Sequence, residues 1–152
     1  MSDMVFEGAA RWKGGNESDL KIKGKTIATV SPPPEFGGQG NCCAPEEVFA
    51  ASLASCMNTI FLLVAGNSNL ELKSLETIAA VTMNVVGFSF FSDIHFTMNV
   101  GLEKDDDSER AKVERIYQIA QKSCPLSHSW GEDVPITFSM NFVQTPSDLT
   151  GP

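Results

Sequence analysis

The sequence predicts an α+β fold with mainly antiparallel sheets, and three observations carry that expectation. The stretch from Pro45 to Gly66 reads as one long helix with no charge after Glu47. Short segments on either side of it alternate apolar and polar residues with the period of a strand. A second helical pattern, over 107–123, follows a run of strands instead of alternating with each of them, the order expected of segregated helices and sheet. With 152 residues, 42% hydrophobic and 20% charged, the chain suits a single domain with its own core. That domain is expected over 1–143, with a frayed tail over 144–152.

Taken in order, residues 4–12 and 20–30 alternate and are joined by the turn-prone Lys13-Gly14-Gly15-Asn16, which predicts an N-terminal hairpin. Residues 31–40, Ser-Pro-Pro-Pro-Glu-Phe-Gly-Gly-Gln-Gly, can hold neither a helix nor a central strand and form a loop leading into the long helix. Pro45 suits a first helical position, Glu46 and Glu47 complement the positive end of the dipole, and Gly66 offers a stop. Apolar and small residues occupy every face between those ends, so this helix is expected to be buried, and Cys56 lies in its middle. Leu75–Val86 and Asp93–Glu103 follow as strands, the second placing His95 on its wet face. Asp106 and Glu109 make a capping-box variant for the helix over 107–123. Cys124 stands at a break before Pro125, which opens a new helical turn whose N–H groups stabilise a thiolate. Ile136, Phe138, Met140 and Phe142 alternate as a last strand.

Composition narrows the chemistry. A net charge of −8 without a Lys/Arg cluster argues against nucleic acid. Residues 48–65 approach membrane-spanning length, yet Ser52, Ser55, Asn58 and Thr59 interrupt them and no basic cluster flanks them, which argues against a membrane span. The Met-Ser-Asp-Met-Val-Phe start reads as no secretory signal, so the expected location is the cytoplasm with its thiols reduced. Four cysteines, at 42, 43, 56 and 124, and two histidines keep no ligand-like spacing, so no metal and no cofactor is expected. That leaves thiol chemistry or inert packing for Cys56.

The stretch from Pro45 to Cys56, Pro-Glu-Glu-Val-Phe-Ala-Ala-Ser-Leu-Ala-Ser-Cys, resembles the first signature of the OsmC/Ohr family, and Ser123-Cys124-Pro125-Leu126-Ser127 resembles the second, Cys-Pro-x-Ser. The resemblance extends over nearly the whole chain through the order of elements. It implies an OsmC-like intertwined homodimer, with antiparallel sheets wrapped around two central helices per subunit and the thiols at the subunit interface. It implies thiol-dependent reduction of organic hydroperoxides, with Cys56 as the peroxidatic cysteine, Cys124 as the resolving cysteine, and a lipoyl-type dithiol as reductant. Phe36, Phe49, Leu53 and Met57 would make the substrate surroundings apolar. The competing readings are a binding protein for an apolar or thiol-reactive small molecule, and a thiol redox sensor.

The family also implies that Glu46 holds an arginine against the thiolate. Here the sequence departs from the family. The segments that would supply the arginine, the Gly14-Gly15-Asn16-Glu17 turn and residues 32–43, contain none, and the only arginines are Arg11, Arg110 and Arg115. This points to a divergent OsmC-like branch. Ten residues on one helix separate Glu46 from Cys56 by roughly 15 Å along the axis and put them on different faces. A Glu46 at the thiol site is therefore expected to come from a second subunit, with the central helices crossing about a two-fold axis.

Overall fold

The computed structural model describes residues 3–144. The chain divides into two compact units, Met1–Phe49 and Ala50–Pro152. Of the tail expected over 144–152, all but Gln144 lies outside the described residues.

In the first unit, β1 (Ala9–Gly14), β2 (Glu17–Ile22) and β3 (Lys25–Val30) pair antiparallel in chain order. The two-stranded hairpin expected over 4–12 and 20–30 is thus a three-stranded meander, and residues 4–8 belong to no strand. The reason lies at Lys23 and Gly24, whose φ values of 51° and 77° make the two-residue turn that right-twisted strands favour. Lysine is an unusual residue for that position, so residues 20–30 read as one uninterrupted strand. Beyond β3 the Ser31 N–H donates to the Cys43 carbonyl at 3.1 Å, and the loop between them folds through a 3₁₀ turn at Pro34–Phe36. Phe36 and Gly38 both donate backbone N–H groups to the Pro33 carbonyl, at 2.9 and 3.1 Å. Gly38 is obligatory, because a Cβ there would lie 1.6 Å from the Pro32 carbonyl oxygen.

Helix α1 (Pro45–Asn67) begins in this unit and continues into the next. Its start is fixed reciprocally: the Ala44 N–H donates to Glu47 Oε2 at 2.8 Å, and the Glu47 N–H to the Ala44 carbonyl at 3.0 Å. Its end is not set by Gly66, as expected, but by Asn69 with φ 50°, which lets the Leu70 N–H reach back to the Ala65 carbonyl at 3.2 Å.

In the second unit, β4 (Leu72–Asn84) pairs antiparallel with β5 (Phe90–Leu102), and β5 pairs with β6 (Ile136–Phe142) in parallel. The sheet is therefore mixed and not wholly antiparallel. Between β5 and β6 the chain inserts α2 (Asp107–Ser123) and α3 (Pro125–His128), a crossover long enough to bring β6 back in the direction of β5. Asp106 caps α2 as its spacing predicts, accepting the Glu109 N–H at 2.9 Å.

The buried side chains follow the two periodicities. Helix α1 contributes Leu53, Met57, Phe61 and Ala65, four residues apart each time. Strand β5 contributes Ile94, Phe96, Met98 and Val100, and α2 contributes Val113, Ile116, Tyr117 and Ala120. The other side of β5 is polar but not simply wet: His95 is half-buried, with Nδ1 2.7 Å from Thr137 Oγ1 and Nε2 3.0 Å from Ser139 Oγ. Asn99 is buried there with both ends satisfied, donating to Glu76 and accepting from Asn141.

Candidate functional site

The second unit brings two cysteines sulfur to sulfur. Cys56 sits on α1 beside the stripe of buried residues and is half-buried, whereas Cys124 is wholly buried. Their Sγ atoms are 2.8 Å apart, and both are thiols. Cys124 is held by its own backbone, since it is at once the last cap of α2 and the first of α3. Its N–H donates to the Ala120 carbonyl at 3.1 Å, and its carbonyl accepts from His128 N–H at 3.2 Å and from Ser127 Oγ at 2.9 Å. The extended ψ of 111° at Cys124 is what a following proline imposes. One residue thus joins two helices, and packing and hydrogen bonds leave its thiol little freedom.

The electrostatics of the pair are set by dryness. Burial first, and then the neighbouring Cys124 thiol, push Cys56 up from 9.0 to about 11. The proton in the contact can lie on either sulfur: donated by Cys124 it would help a Cys56 thiolate, donated by Cys56 it hinders one. Burial, the largest cause, fixes the direction as upward. Opposing it is the Leu126 N–H in the first turn of α3, which hydrogen-bonds Cys56 and favours its anion. The sequence led to that turn through Pro125 but gave its N–H groups to Cys124. A backbone donor has no residue type to announce it, so only the fold could direct it to Cys56.

The remaining expected residues fall in different places. Leu53 and Met57 have no exposure at all, so they are dry packing beside the thiol and not a wall open to a ligand. Phe49 is half-buried at the end of the first unit. Phe36 is 54% exposed and, with Glu46, lines a cavity within that unit. Glu46 is half-buried, and its Oε2 is shut off from solvent with no hydrogen-bond partner in the protein. Arg110, one of the three arginines, is committed elsewhere, with Nη2 2.8 Å from Asp105 Oδ2 and its guanidinium 4.6 Å over the Phe142 ring. Cys42 and Cys43 border a separate shallow pocket with Ile27, Thr29 and Glu47. Among the described residues no cluster of three or more His, Cys, Asp or Glu side chains could hold a metal ion.

The site is thus an α+β chain's pairing of one thiol against another at a helix junction. The chain belongs to the OsmC-like protein family, whose pattern matches residues 38–139. It is 26% identical over 135 residues to Organic hydroperoxide resistance protein-like 2 of Staphylococcus epidermidis, covering 84% of this chain and 89% of that one. It is 24% identical over 142 residues to the Organic hydroperoxide resistance protein of Xanthomonas axonopodis pv. citri, covering 90% and 95%. Its fold matches the OsmC-like protein of Mycoplasma pneumoniae with a TM-score of 0.77 at 13% identity, over 94% of this chain and all of the other.

Proposed function

We propose that this protein is a cytoplasmic thiol peroxidase that reduces organic hydroperoxides through Cys56 and Cys124. The observation that carries the reading is the 2.8 Å approach of the two sulfurs, one half-exposed and one buried. The Cys56 thiolate attacks the terminal oxygen of R–O–OH, the O–O bond breaks, and the alkoxide takes a proton and leaves as ROH. The sulfur is now a sulfenic acid. Cys124 displaces hydroxide from it, which leaves as water with the Cys124 proton, and the Cys56–Cys124 disulfide remains. A dithiol reductant, for which a lipoyl group is the candidate, returns both thiols and becomes a disulfide itself. The family resemblance and the hydroperoxide-resistance relatives support the substrate class.

A homodimer belongs to this reading. Helix α1 has the length and composition of a membrane span, with a mean hydropathy of 2.0, but only 22% of its most apolar stretch is buried within the chain. Leu62 and Leu63 are 50% and 64% exposed. A second copy covers such a surface without a membrane. Under this proposal the Glu46 carboxylate reaches the thiol site from the second subunit. Mixing inactive Glu46→Ala and Cys56→Ser subunits restores activity if the site is shared in this way, and restores none if Glu46 serves only to begin its helix.

The raised Cys56 thiol favours a second reading, a dithiol sensor or a binding protein without turnover, because a thiol near 11 is a sluggish nucleophile at neutral pH. Steady-state consumption of cumene hydroperoxide with dihydrolipoamide decides between them. Turnover that exceeds that with hydrogen peroxide and vanishes in Cys56→Ser supports the peroxidase. Stoichiometric disulfide formation without turnover supports the sensor, and neither outcome in the presence of both substrates supports binding alone.

A further inference from the structure

Cys42 and Cys43 are neighbours in the chain, are both free thiols, and take no part in the contact between Cys56 and Cys124. Both line one pocket of the first unit, with a volume of about 560 Å³, together with Ile27, Ala28 and Glu47. The backbone that carries them is held on either side. Gly40, two residues before the pair, takes a left-handed φ of 72°. Cys43 bridges in parallel to Val30, and its carbonyl accepts the Ser31 N–H at 3.1 Å. The Ala44 N–H is spent on Glu47 Oε2 at 2.8 Å. Cys43 is exposed and Cys42 half-buried, so a reagent in this pocket meets one thiol directly and has the second on the adjoining residue.

Adjacent Cα atoms lie about 3.8 Å apart across a trans peptide, short of the roughly 4.4 Å at which ordinary disulfides begin. A direct bond between the two sulfurs is therefore unfavourable, whereas one interposed atom bonded to both relaxes the ring. Zinc does not suit the place, because it takes four ligands, and among the described residues no cluster of three or more His, Cys, Asp or Glu side chains could hold a metal ion. A linear two-coordinate ion needs its sulfurs on opposite sides, which adjacent residues supply poorly. The complement is a pyramidal thiophilic centre that takes two sulfurs from one side and brings its own third substituent. We propose that Cys42 and Cys43 form a chelating dithiol site for trivalent organoarsenicals. In the capture step R–As=O gains two As–S bonds, the As=O bond breaks, and the oxygen leaves as water with the two thiol protons. Arsenic stays trivalent, and nothing is oxidised or reduced. The organic group lies on the side chain of Ile27, which is 54% exposed. The same chelation is barred at Cys56, because its neighbour Cys124 is wholly buried. The site stands whether or not the protein turns over hydroperoxides.

The test uses the full chain, reduced and titrated with phenylarsine oxide, with adducts counted by intact-mass spectrometry. One adduct should form, survive a large excess of glutathione, and come off with 2,3-dimercaptopropanol, because only a dithiol matches the chelate. Cys56→Ser with Cys124→Ser should keep the adduct, and Cys42→Ser with Cys43→Ser should lose it. Cys42→Ser or Cys43→Ser alone should raise the half-saturating concentration roughly 100-fold, the gain expected of a second, tethered bond. Ile27→Ser should raise it about fivefold through lost apolar contact. No adduct, an adduct that glutathione removes, an adduct retained without Cys42 and Cys43, or a single cysteine variant that binds as well as the wild type would each overturn the proposal. Unchanged affinity in Ile27→Ser would overturn the seat given to the organic group. Should a double variant fail to fold by circular dichroism, the single variants and the competition between glutathione and 2,3-dimercaptopropanol decide the matter.

Discussion

The pH at which Cys56 becomes a nucleophile is the most direct measure of its surroundings. In the unfolded chain the thiol ionises near 9.0, and in the folded chain near 11. At pH 8 the two pH units between those values leave the folded chain with about a hundredfold less thiolate. A thiolate of higher pKa is intrinsically more reactive, with a Brønsted slope of about 0.4–0.5, so roughly tenfold of that deficit is recovered. Alkylation of Cys56 by iodoacetamide at pH 8 should therefore run about tenfold slower in the native chain than in urea, before any loss through limited access. Peptide mass spectrometry over pH 7–10 reads each cysteine separately. The native rate should climb about tenfold per pH unit without levelling, while the urea rate flattens near 9. A native plateau below pH 8 would refute the reasoning, because it would mean that a cation or dipole outweighs burial at the sulfur. The same shift has a thermodynamic sign. The folded state holds this proton more tightly than the unfolded state, so Cys56 leaves stability unchanged below about 9 and lowers it as pH rises towards about 11. Cys56→Ala should flatten that part of the stability profile, as measured by denaturant titration.

Oxidation with one equivalent of cumene hydroperoxide should link Cys56 to Cys124 within one chain, and peptide mapping that finds Cys42 or Cys43 as the main partner would remove Cys124 from its role. Cys124→Ser should give a single turnover and leave a dimedone-reactive sulfenic acid on Cys56. Phe61→Ala, which empties a wholly buried position on α1, should cost about 3–5 kcal/mol in chemical denaturation. Asp106→Ala removes the cap of α2 and should cost about 1 kcal/mol. Leu62→Glu with Leu63→Glu should shift sedimentation from dimer to monomer, and an unchanged dimer would place the subunit contact elsewhere.

What the sequence disclosed and what it withheld divide along physical lines. Both long helices could be read because their signals are local: Pro45 and the glutamates at one start, and Asp106 at the other, act within a single turn. The parallel pairing of β6 could not, since strand direction depends on where α2 and α3 deliver the chain. The extra strand was hidden because Lys23 takes a backbone conformation usually left to glycine or asparagine. At the site, residue type identified both thiols, yet their 68-residue separation meant that only the fold could set the sulfurs in contact. Leu53 and Met57 were named as substrate surroundings from their place near Cys56, but the i, i+4 stripe through Phe61 turns them inward.

If Cys56 and Cys124 form the proposed bridge, their unequal exposure also dictates the order in which it is reopened. Cys124 is wholly buried at its helix junction, while Cys56 is only half-buried. Under the proposed redox chemistry, an incoming dithiol aligns on the Cys56 side of the bridge, so that the transient mixed disulfide forms on Cys56 and Cys124 departs as the leaving thiolate. The helix junction thereby acts as a regiochemical filter. In that proposal every reductant, whatever its identity, passes through the same sulfur that meets the oxidant.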